Sequence, residues 1–548
     1  MIRFFLRLLL VIMAAGMVAI QAAAFMLGWP MVPEPLLMAG IWPLHGPASL
    51  LAWYDAGLLV GDVRQFAISA GVLTAGLCGM FWISHGRFHL THREERKAWG
   101  RTGSARRGGL LSRHGVVFGR LGGRTIRDDS DGHVAVMAPP GAGKSSTIAI
   151  PTLLGGWRES VVVHDPKGEL WSRTSAWRRR HVGPVLRFDL GDPATVCYNP
   201  MDEIRWGTPH RVGDAQALAR ALVPQGSSKD SYFDNLALQF LTSLILYVGE
   251  RIERPSLAHI HAIAASFEEA LPRIAQSGHP EGRQLAERLD SADAKMRGIF
   301  ESEILSHVWQ FADPLIARAT GHSDFRAGDL MCERRPLTLY LCVPARHQHR
   351  VAPVYRVVLQ SLLGALCERE REDLDGRRKR HRLLALIDEF PSLGRMEPLR
   401  VALPIVRSYG LKVVLIAQST RQLAEIYGPQ NSFLDMVSNL WIAAGSDPSS
   451  LADYSRMSGD VREYRHAIGA EGRLSHSEQL RPRLTTGDLR ELDRNEILLL
   501  RQGVRPFRLR KIRPWRFFSR YRRRQGEAFA ATKVRHHSMH RTNRKGSA

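Results

Sequence analysis

Two long apolar runs mark the first hundred residues. Phe4–Leu27 carries a single charge, Arg7, near its start, and Phe66–Ser84 carries none. About 20 apolar residues suffice to cross the hydrocarbon core of a bilayer, so both runs are expected to be transmembrane helices. A third run, Leu236–Val248, is too short to span and predicts a buried core helix. The remaining runs are shorter and unbroken: His133–Met137, Ser160–Asp165, Val185–Leu190, Leu337–Val343, Arg382–Phe390, Leu411–Ser419, Leu440–Gly445 and Glu496–Arg501. Strands of this texture belong in a parallel sheet covered on both faces. Between Asp202 and about Asp324 the pattern changes to helical periodicity in Ala, Leu, Glu and Arg, which predicts an inserted all-α domain.

These elements lay out an α/β body behind a membrane anchor. The expected division is 1–99 for the anchor, with two transmembrane helices and a short periplasmic segment. Residues 100–201 are the first part of the body, 202–324 the all-α insertion, 325–504 the second part and 505–548 a basic tail. A Gly/Arg-rich linker is expected from about Gly100 to Arg124, and Glu368–His381 reads as an exposed charged connection.

Charge sharpens this picture. Glu34, Asp55 and Asp62 lie between the two apolar runs with Arg64 as the base, whereas Arg87, Arg93, Arg96, Lys97, Arg101, Arg106 and Arg107 follow the second. The positive-inside bias then places both ends of the anchor in the cytoplasm; a cleavable signal peptide is the alternative for the first run. Over 548 residues the formal net charge is +23, an excess that suits a polyanionic partner, nucleic acid or anionic lipid. Cys78, Cys197, Cys332, Cys342 and Cys367 are scattered without a CxxC pair, which argues against a zinc ribbon or a disulfide framework and for a reduced, cytosolic body. His536, His537 and His540, and the RHQHR run at Arg346–Arg350, lack acidic or thiol companions and carry no metal assignment.

The chemistry concentrates in VAVMAPPGAGKSSTIAI, Val134–Ile150. An apolar strand enters a loop of small residues and leaves through a helix beginning at Lys144, the layout of a phosphate cradle. Pro140, Gly141, Ala142, Gly143, Lys144, Ser145 and Ser146 form the candidate nucleotide-binding loop. Lys144 is expected on the β- and γ-phosphates and the Ser145 hydroxyl on Mg²⁺. Ala138 stands where the usual pattern has its first glycine. The run Arg382–Phe390 ends in Asp388 and Glu389, the first suited to Mg²⁺ and the second to activating the attacking water. Gln418, at the end of another strand, reads as a γ-phosphate sensor, with an ordinary loop glutamine as the alternative. ATP and Mg²⁺ are therefore the implied cofactors.

APPGAGKSS (Ala138–Ser146), VVVHDPKGEL (Val161–Leu170), YNPM (Tyr198–Met201), TGHSDFRAGDL (Thr320–Leu330), LIDEFPSLG (Leu386–Gly394) and IAQSTRQLAEIYG (Ile416–Gly428) occur in this order. The set resembles the type IV coupling proteins of the VirD4/TraG kind, from about Ser112 to Leu500 and in the membrane layout. The resemblance implies a RecA-like P-loop domain with an all-α insertion that helps select cargo. It further implies a homohexameric ATPase of the bacterial inner membrane, its body in the cytoplasm, that passes substrate to a type IV secretion channel. In conjugation the substrate is single-stranded DNA attached to a relaxase. By motif position Lys144 and Ser145 match Walker A, Asp388 and Glu389 Walker B, Gln418 the family's glutamine and Arg407 its arginine finger, with Arg395 and Arg400 as competitors. Asp165 and Lys167 either stand beside the nucleotide or fix the turn around Pro166 and Gly168.

In the tail, Arg508, Arg510, Lys511, Arg513, Arg516, Arg520, Arg522, Arg523 and Arg524 alternate with Trp515, Phe517, Phe518 and Tyr521. Unpaired bases, lipid headgroups or a channel partner suit this composition, as does plain solvation. Two other functions compete with a DNA motor: an ATP-gated membrane receptor for protein effectors, and a DNA translocase of the FtsK type. The two spans, the helical insertion and the DPKGE and QSTRQLAEIYG motifs weigh against the latter.

Overall fold

The computed structural model describes residues 37–39, 42–44, 99–223, 231–342, 348–445, 447–468 and 474–512. The chain divides into two units, Met1–Ala98 and Trp99–Ala548. In the first, Leu37–Ala39 pairs antiparallel with Trp42–Leu44. Both predicted membrane runs lie outside the described residues, and among the described residues no helix is long and apolar enough to cross a membrane.

The second unit is built on one sheet. Its strands are β1 (Val116–Leu121), β2 (Arg124–Asp128), β3 (Val134–Met137), β4 (Ser160–Asp165), β5 (Val185–Asp189), β6 (Thr338–Cys342), β7 (Leu383–Ile387), β8 (Leu411–Ala417), β9 (Asn439–Ile442), β10 (Glu496–Arg501) and β11 (Phe507–Arg510). They lie in the order β2-β1-β11-β10-β9-β3-β8-β7-β4-β6-β5. From β9 to β5 every neighbour is parallel; β10, β11, β1 and β2 continue the sheet antiparallel.

The continuous apolar strands follow from burial on both faces. In β3 and β6 to β9 every residue is buried, and alternate side chains enter two separate cores. Ala135, Met137, Leu383, Ala385, Val413 and Leu415 face one; Val134, Val136, Leu384, Leu386, Val414 and Ile416 face the other. The helical segment 144–156 and the helix Glu169–His181 cover the second face with Ile148, Leu153, Leu170 and Trp177.

The first face is covered by the helical stretch that runs from Arg211–Leu222 to Pro314–Ala319. Its longest helix, Ser231–Arg251, contains the predicted core segment and buries Phe240, Leu241, Leu244, Ile245 and Val248. Phe240, Phe267 and Phe300 pack ring to ring, with centroids 5.7 to 5.9 Å apart. Truncating one such ring to Ala costs about 3–5 kcal/mol. These side chains share one core with the sheet, so the all-α stretch rests on the α/β body through continuous apolar packing.

Three expectations need correction. The supposed linker from Gly100 to Arg124 is folded: it forms the helix Thr102–Arg107 and strand β1, with Phe118 fully buried. The body does not stop at residue 504, because Phe507–Arg510 is a sheet strand and Arg508 pairs with Glu496 at 2.5 Å. Glu496–Arg501 joins the sheet antiparallel to β9, and the chain then returns as β11 through a connection too short for a crossover helix, so that pair is antiparallel as well. A further antiparallel pair, Asp460–Ile468 with Leu474–Pro482, has no counterpart in the apolar pattern.

Candidate active site

Strand β3 ends at Met137, and the Ala138 amide donates to Ala417 O at 3.0 Å, fixing the entry of the loop against β8. Gly141 and Gly143 have φ of 76° and 80°, where an L side chain costs about 1–2 kcal/mol. Such turns align successive N–H groups into an anion-binding concavity. Helix begins at Lys144 with a wide π turn over Ser145–Ala149. Ser146 Oγ donates to Gly143 O at 3.0 Å, closing the loop on itself. Ser145 Oγ has no hydrogen-bond partner among the described residues.

Strand β7 lies between β8 and β4 and carries Asp388 and Glu389 just past its end. The Asp388 peptide is held from both sides by β4: its amide donates to His164 O at 3.2 Å, and His164 Nδ1 donates to its carbonyl at 2.7 Å. A carbonyl only accepts, so Nδ1 carries the proton, and burial pushes the imidazole down to about 4. His164 was missed from the sequence; its one signal was a polar residue inside the run SVVVHD.

Glu389 is the one described non-glycine residue with positive φ, at 55°. Lys144 Nζ donates to its Oε2 at 2.7 Å and Gln418 Nε2 to its Oε1 at 2.7 Å, while the Gln418 amide donates to Gln422 Oε1 at 3.0 Å. Lys144, Glu389 and Gln418 thus meet, although they come from three separate segments. Asp388 joins them with Oδ1 4.0 Å from Lys144 Nζ. That oxygen is buried and accepts no hydrogen bond. Burial first, and the Glu389 charge after it, raise the Asp388 carboxyl above its ordinary range, with Lys144 opposing.

Asp165 Oδ2 accepts from the Trp171 amide at 2.8 Å, in the first turn of Glu169–His181, and Gly168 adopts φ 65°. Fixing this turn is therefore one job of Asp165. Burial, with Asp388 nearby, raises its carboxyl to about 6. Lys167 is exposed beside the same turn, and its charge acts on Asp388.

The three arginines fall elsewhere. Arg395 and Arg400 both pair with Glu397. Arg407 is exposed and makes no ion pair or side-chain hydrogen bond among the described residues. It precedes β8, whereas Gln418 follows it, so Arg407 lies at the opposite end of the parallel strands from Lys144. Seven residues of strand put roughly 20 Å between them.

Comparison with known proteins identifies the family and the fold. The family described as type IV secretory system conjugative DNA transfer matches residues 98–541. The conjugal transfer protein TraG of Escherichia coli is 29% identical over 525 residues, covering 85% of this chain and 81% of the relative. Protein VirD4 of Agrobacterium fabrum is 28% identical over 495 residues, covering 84% and 72%. The fold is similar to that of the bacterial conjugative coupling protein TrwB in a trigonal form with sulphate, at TM-score 0.60 and 20% identity over 76% of this chain and 93% of that one. It is also similar to TrwB in complex with ADP and Mg²⁺, at TM-score 0.58 and 17% identity over the same shares, 76% and 93%. Since the family match takes in nearly the whole second unit, P-loop and acidic strand included, this chain belongs to the type IV secretion family of conjugative DNA transfer coupling proteins and is a P-loop ATPase.

Proposed function

We propose that the chain is an inner-membrane motor that binds Mg²⁺ and ATP at the Lys144 site. Its turnover then passes relaxase-bound single-stranded DNA, protein effectors, or both to a type IV secretion channel. The observation that carries this reading is an open glycine cradle facing a buried Asp388 oxygen with no hydrogen-bond partner. An orphaned buried carboxylate oxygen 4.0 Å from Lys144 Nζ, with the unpaired Ser145 hydroxyl next to that lysine in sequence, fits a hard divalent cation, which takes oxygen ligands.

Ser145 and Asp388 would hold the metal, and Mg²⁺ bound there with ATP would supply neutralisation of phosphate charge. Phosphate draws Lys144 away from Glu389. The freed Oε2 then accepts the proton of the attacking water, while Gln418 keeps the other oxygen oriented. Binding and activation are thereby linked, because one lysine cannot neutralise both groups.

Arg407 lies too far from its own cradle to serve it, which supports a finger reaching a neighbour's γ-phosphate in a homohexamer. Val401 and Ile405, exposed at 63% and 57%, precede it in the same segment and offer that contact apolar surface. The all-α stretch is read as an inserted, cargo-facing domain, the two N-terminal apolar runs as the membrane anchor, and the basic tail as a nucleic-acid contact.

The test is steady-state ATP hydrolysis by the detergent-solubilised protein, with and without single-stranded DNA, across protein concentrations. The wild type is expected to be DNA-stimulated and to gain specific activity cooperatively with concentration. Lys144→Ala and Arg407→Ala are each expected to lose at least about 10³-fold in turnover. A mixture of the two variants should recover activity, since each supplies what the other lacks. Persistent turnover in Lys144→Ala overturns the site, and DNA-indifferent turnover by the wild type favours the effector-receptor function.

A further inference from the structure

We infer that Lys511 is a positioning residue of the nucleotide site, clamping the phosphate-binding loop from its outer side. Lys511 follows β11 directly, and its Nζ donates to Ala142 O at 2.8 Å. The sequence had grouped it with the basic tail, yet Ile512 beyond it is buried, and the Lys511 amide donates to Asn495 O at 2.7 Å. Its backbone is therefore anchored to the sheet extension, and its side chain reaches the loop from a fixed base. Lys511 is half-buried, so the contact is partly shielded from water.

The consequence follows from peptide planarity. Ala142 C=O and Gly143 N–H belong to one planar trans peptide and point in opposite directions. A cradle works only if its N–H groups face the phosphate, which requires its carbonyls to face away. Gly143, at φ 80°, has no side chain to resist rotation of that peptide. Lys511 supplies the resistance: a cation on the carbonyl opposes any flip that would turn Ala142 O toward phosphate. It also polarises the peptide, making the Gly143 N–H a stronger donor. The antiparallel part of the sheet thereby serves the site, by bringing β11 to the back of the loop.

This inference rests on the nucleotide-site reading above, and one experiment separates the two. Equilibrium binding of a fluorescent ATP analogue with Mg²⁺, together with KM and kcat for ATP, is measured on the full-length, detergent-solubilised protein. Wild type, Lys511→Met, Lys511→Gln and Lys144→Ala are compared. Loss of a charge-assisted hydrogen bond is expected to raise Kd and KM roughly tenfold in Lys511→Met, with kcat within about twofold. Lys511→Gln keeps a neutral donor and is expected to lose only about threefold. Melting temperatures without nucleotide should match the wild type, while the stabilisation by nucleotide shrinks in Lys511→Met. Wild-type affinity in Lys511→Met overturns the clamp, as do equal losses in Met and Gln, a fall in kcat at constant KM, or a drop in nucleotide-free melting temperature. Failure of the wild type to bind, or undiminished binding by Lys144→Ala, overturns the nucleotide site itself.

Discussion

The two ends of the parallel strands both bury polar groups, and they treat them in opposite ways. At the N-terminal end, Asp128 is fully buried and saturated: Oδ2 accepts from Lys412 Nζ at 2.6 Å and Asn439 Nδ2 at 2.9 Å, and Oδ1 from Arg501 at 2.8 Å and Ser130 Oγ at 2.7 Å. His133 uses both ring nitrogens there, Nε2 on Leu403 O at 2.7 Å and Nδ1 accepting from the Val413 amide at 3.1 Å. At the C-terminal end, Asp388 Oδ1 has no hydrogen bond and Glu389 sits in the left-handed region. One end fastens β2, β8, β9 and β10 together. The other leaves a buried carboxylate oxygen unpaired and a non-glycine residue in the left-handed region, and the proposed nucleotide site is built on that contrast.

The sharpest way to break the contrast is to exchange charge for its neutral isostere at the ligand end. Glu389→Gln is expected to lower kcat about 10³-fold, the size of a general-base contribution, with an unchanged unfolding transition. An active Glu389→Gln removes Glu389 from the chemistry. The mirror experiment is Lys412→Met, which leaves Asp128 buried with Arg501 as its remaining cation. Removing one partner of a buried pair costs about 3–5 kcal/mol, and with Arg501 present the low end, about 3 kcal/mol, is expected from denaturant unfolding. KM for ATP in the folded protein should stay put. A shift of KM without loss of stability would mean that the two ends are not independent.

Acid sharpens the comparison with a smaller effect. Burial holds His133 and His164 neutral, each lowered to about 4. Between about pH 6.5 and 4 the unfolded chain takes up a proton at each and the folded chain does not, so both lose stability as pH falls. Asp165 acts in the opposite sense. Its carboxyl is raised to about 6, so from there down to the ordinary carboxylate range the folded chain holds a proton the unfolded chain lacks, and stability grows as pH falls. Relative to wild type, His133→Gln should therefore show a shallower decline in melting temperature from pH 6.5 to 5, and Asp165→Asn a steeper one. The difference for His133 is at most about 2 kcal/mol over that interval. Parallel curves for wild type and His133→Gln would show that the histidine is not held neutral.

How much of this was legible depended on whether a residue's role was local. The cradle and the acidic strand announce themselves, because a fully buried apolar run that stops at GAGKSS or at Asp388 and Glu389 has few other uses. The antiparallel extension was hidden. Val116–Leu121 and Arg124–Asp128 interleave Gly119, Gly122 and Gly123 with arginines, and Phe507–Arg510 alternates buried Phe507 and Leu509 with exposed Arg508 and Arg510. β2 and β11 are half-buried strands, whose composition looks like linker and tail; β1 is buried from Val116 to Gly119, but its glycine and arginine break the apolar run. His164 and Lys511 were illegible for a different reason. Their partners, the Asp388 carbonyl and the Ala142 carbonyl, are 224 and 369 residues away and are backbone atoms that no side-chain pattern marks.

The smallest effect tests the strain at the ligand end directly. At an ordinary helical or extended position, replacing Ala by Gly destabilises a protein by about 0.4–1 kcal/mol, because glycine leaves the unfolded chain more freedom. At Glu389, φ 55° and ψ 51° reverse the balance: an L residue there bears about 1–2 kcal/mol of steric cost that glycine escapes. Glu389→Ala and Glu389→Gly lose the same carboxylate and the same contacts with Lys144 and Gln418, so their difference isolates the backbone. Glu389→Gly is expected to be the more stable of the two by about 0.5–1 kcal/mol in denaturant unfolding, and both should be inactive. If Ala is instead the more stable by the usual margin, Glu389 is not held left-handed in solution, and its readiness for the attacking water has to come from Lys144 and Gln418 alone.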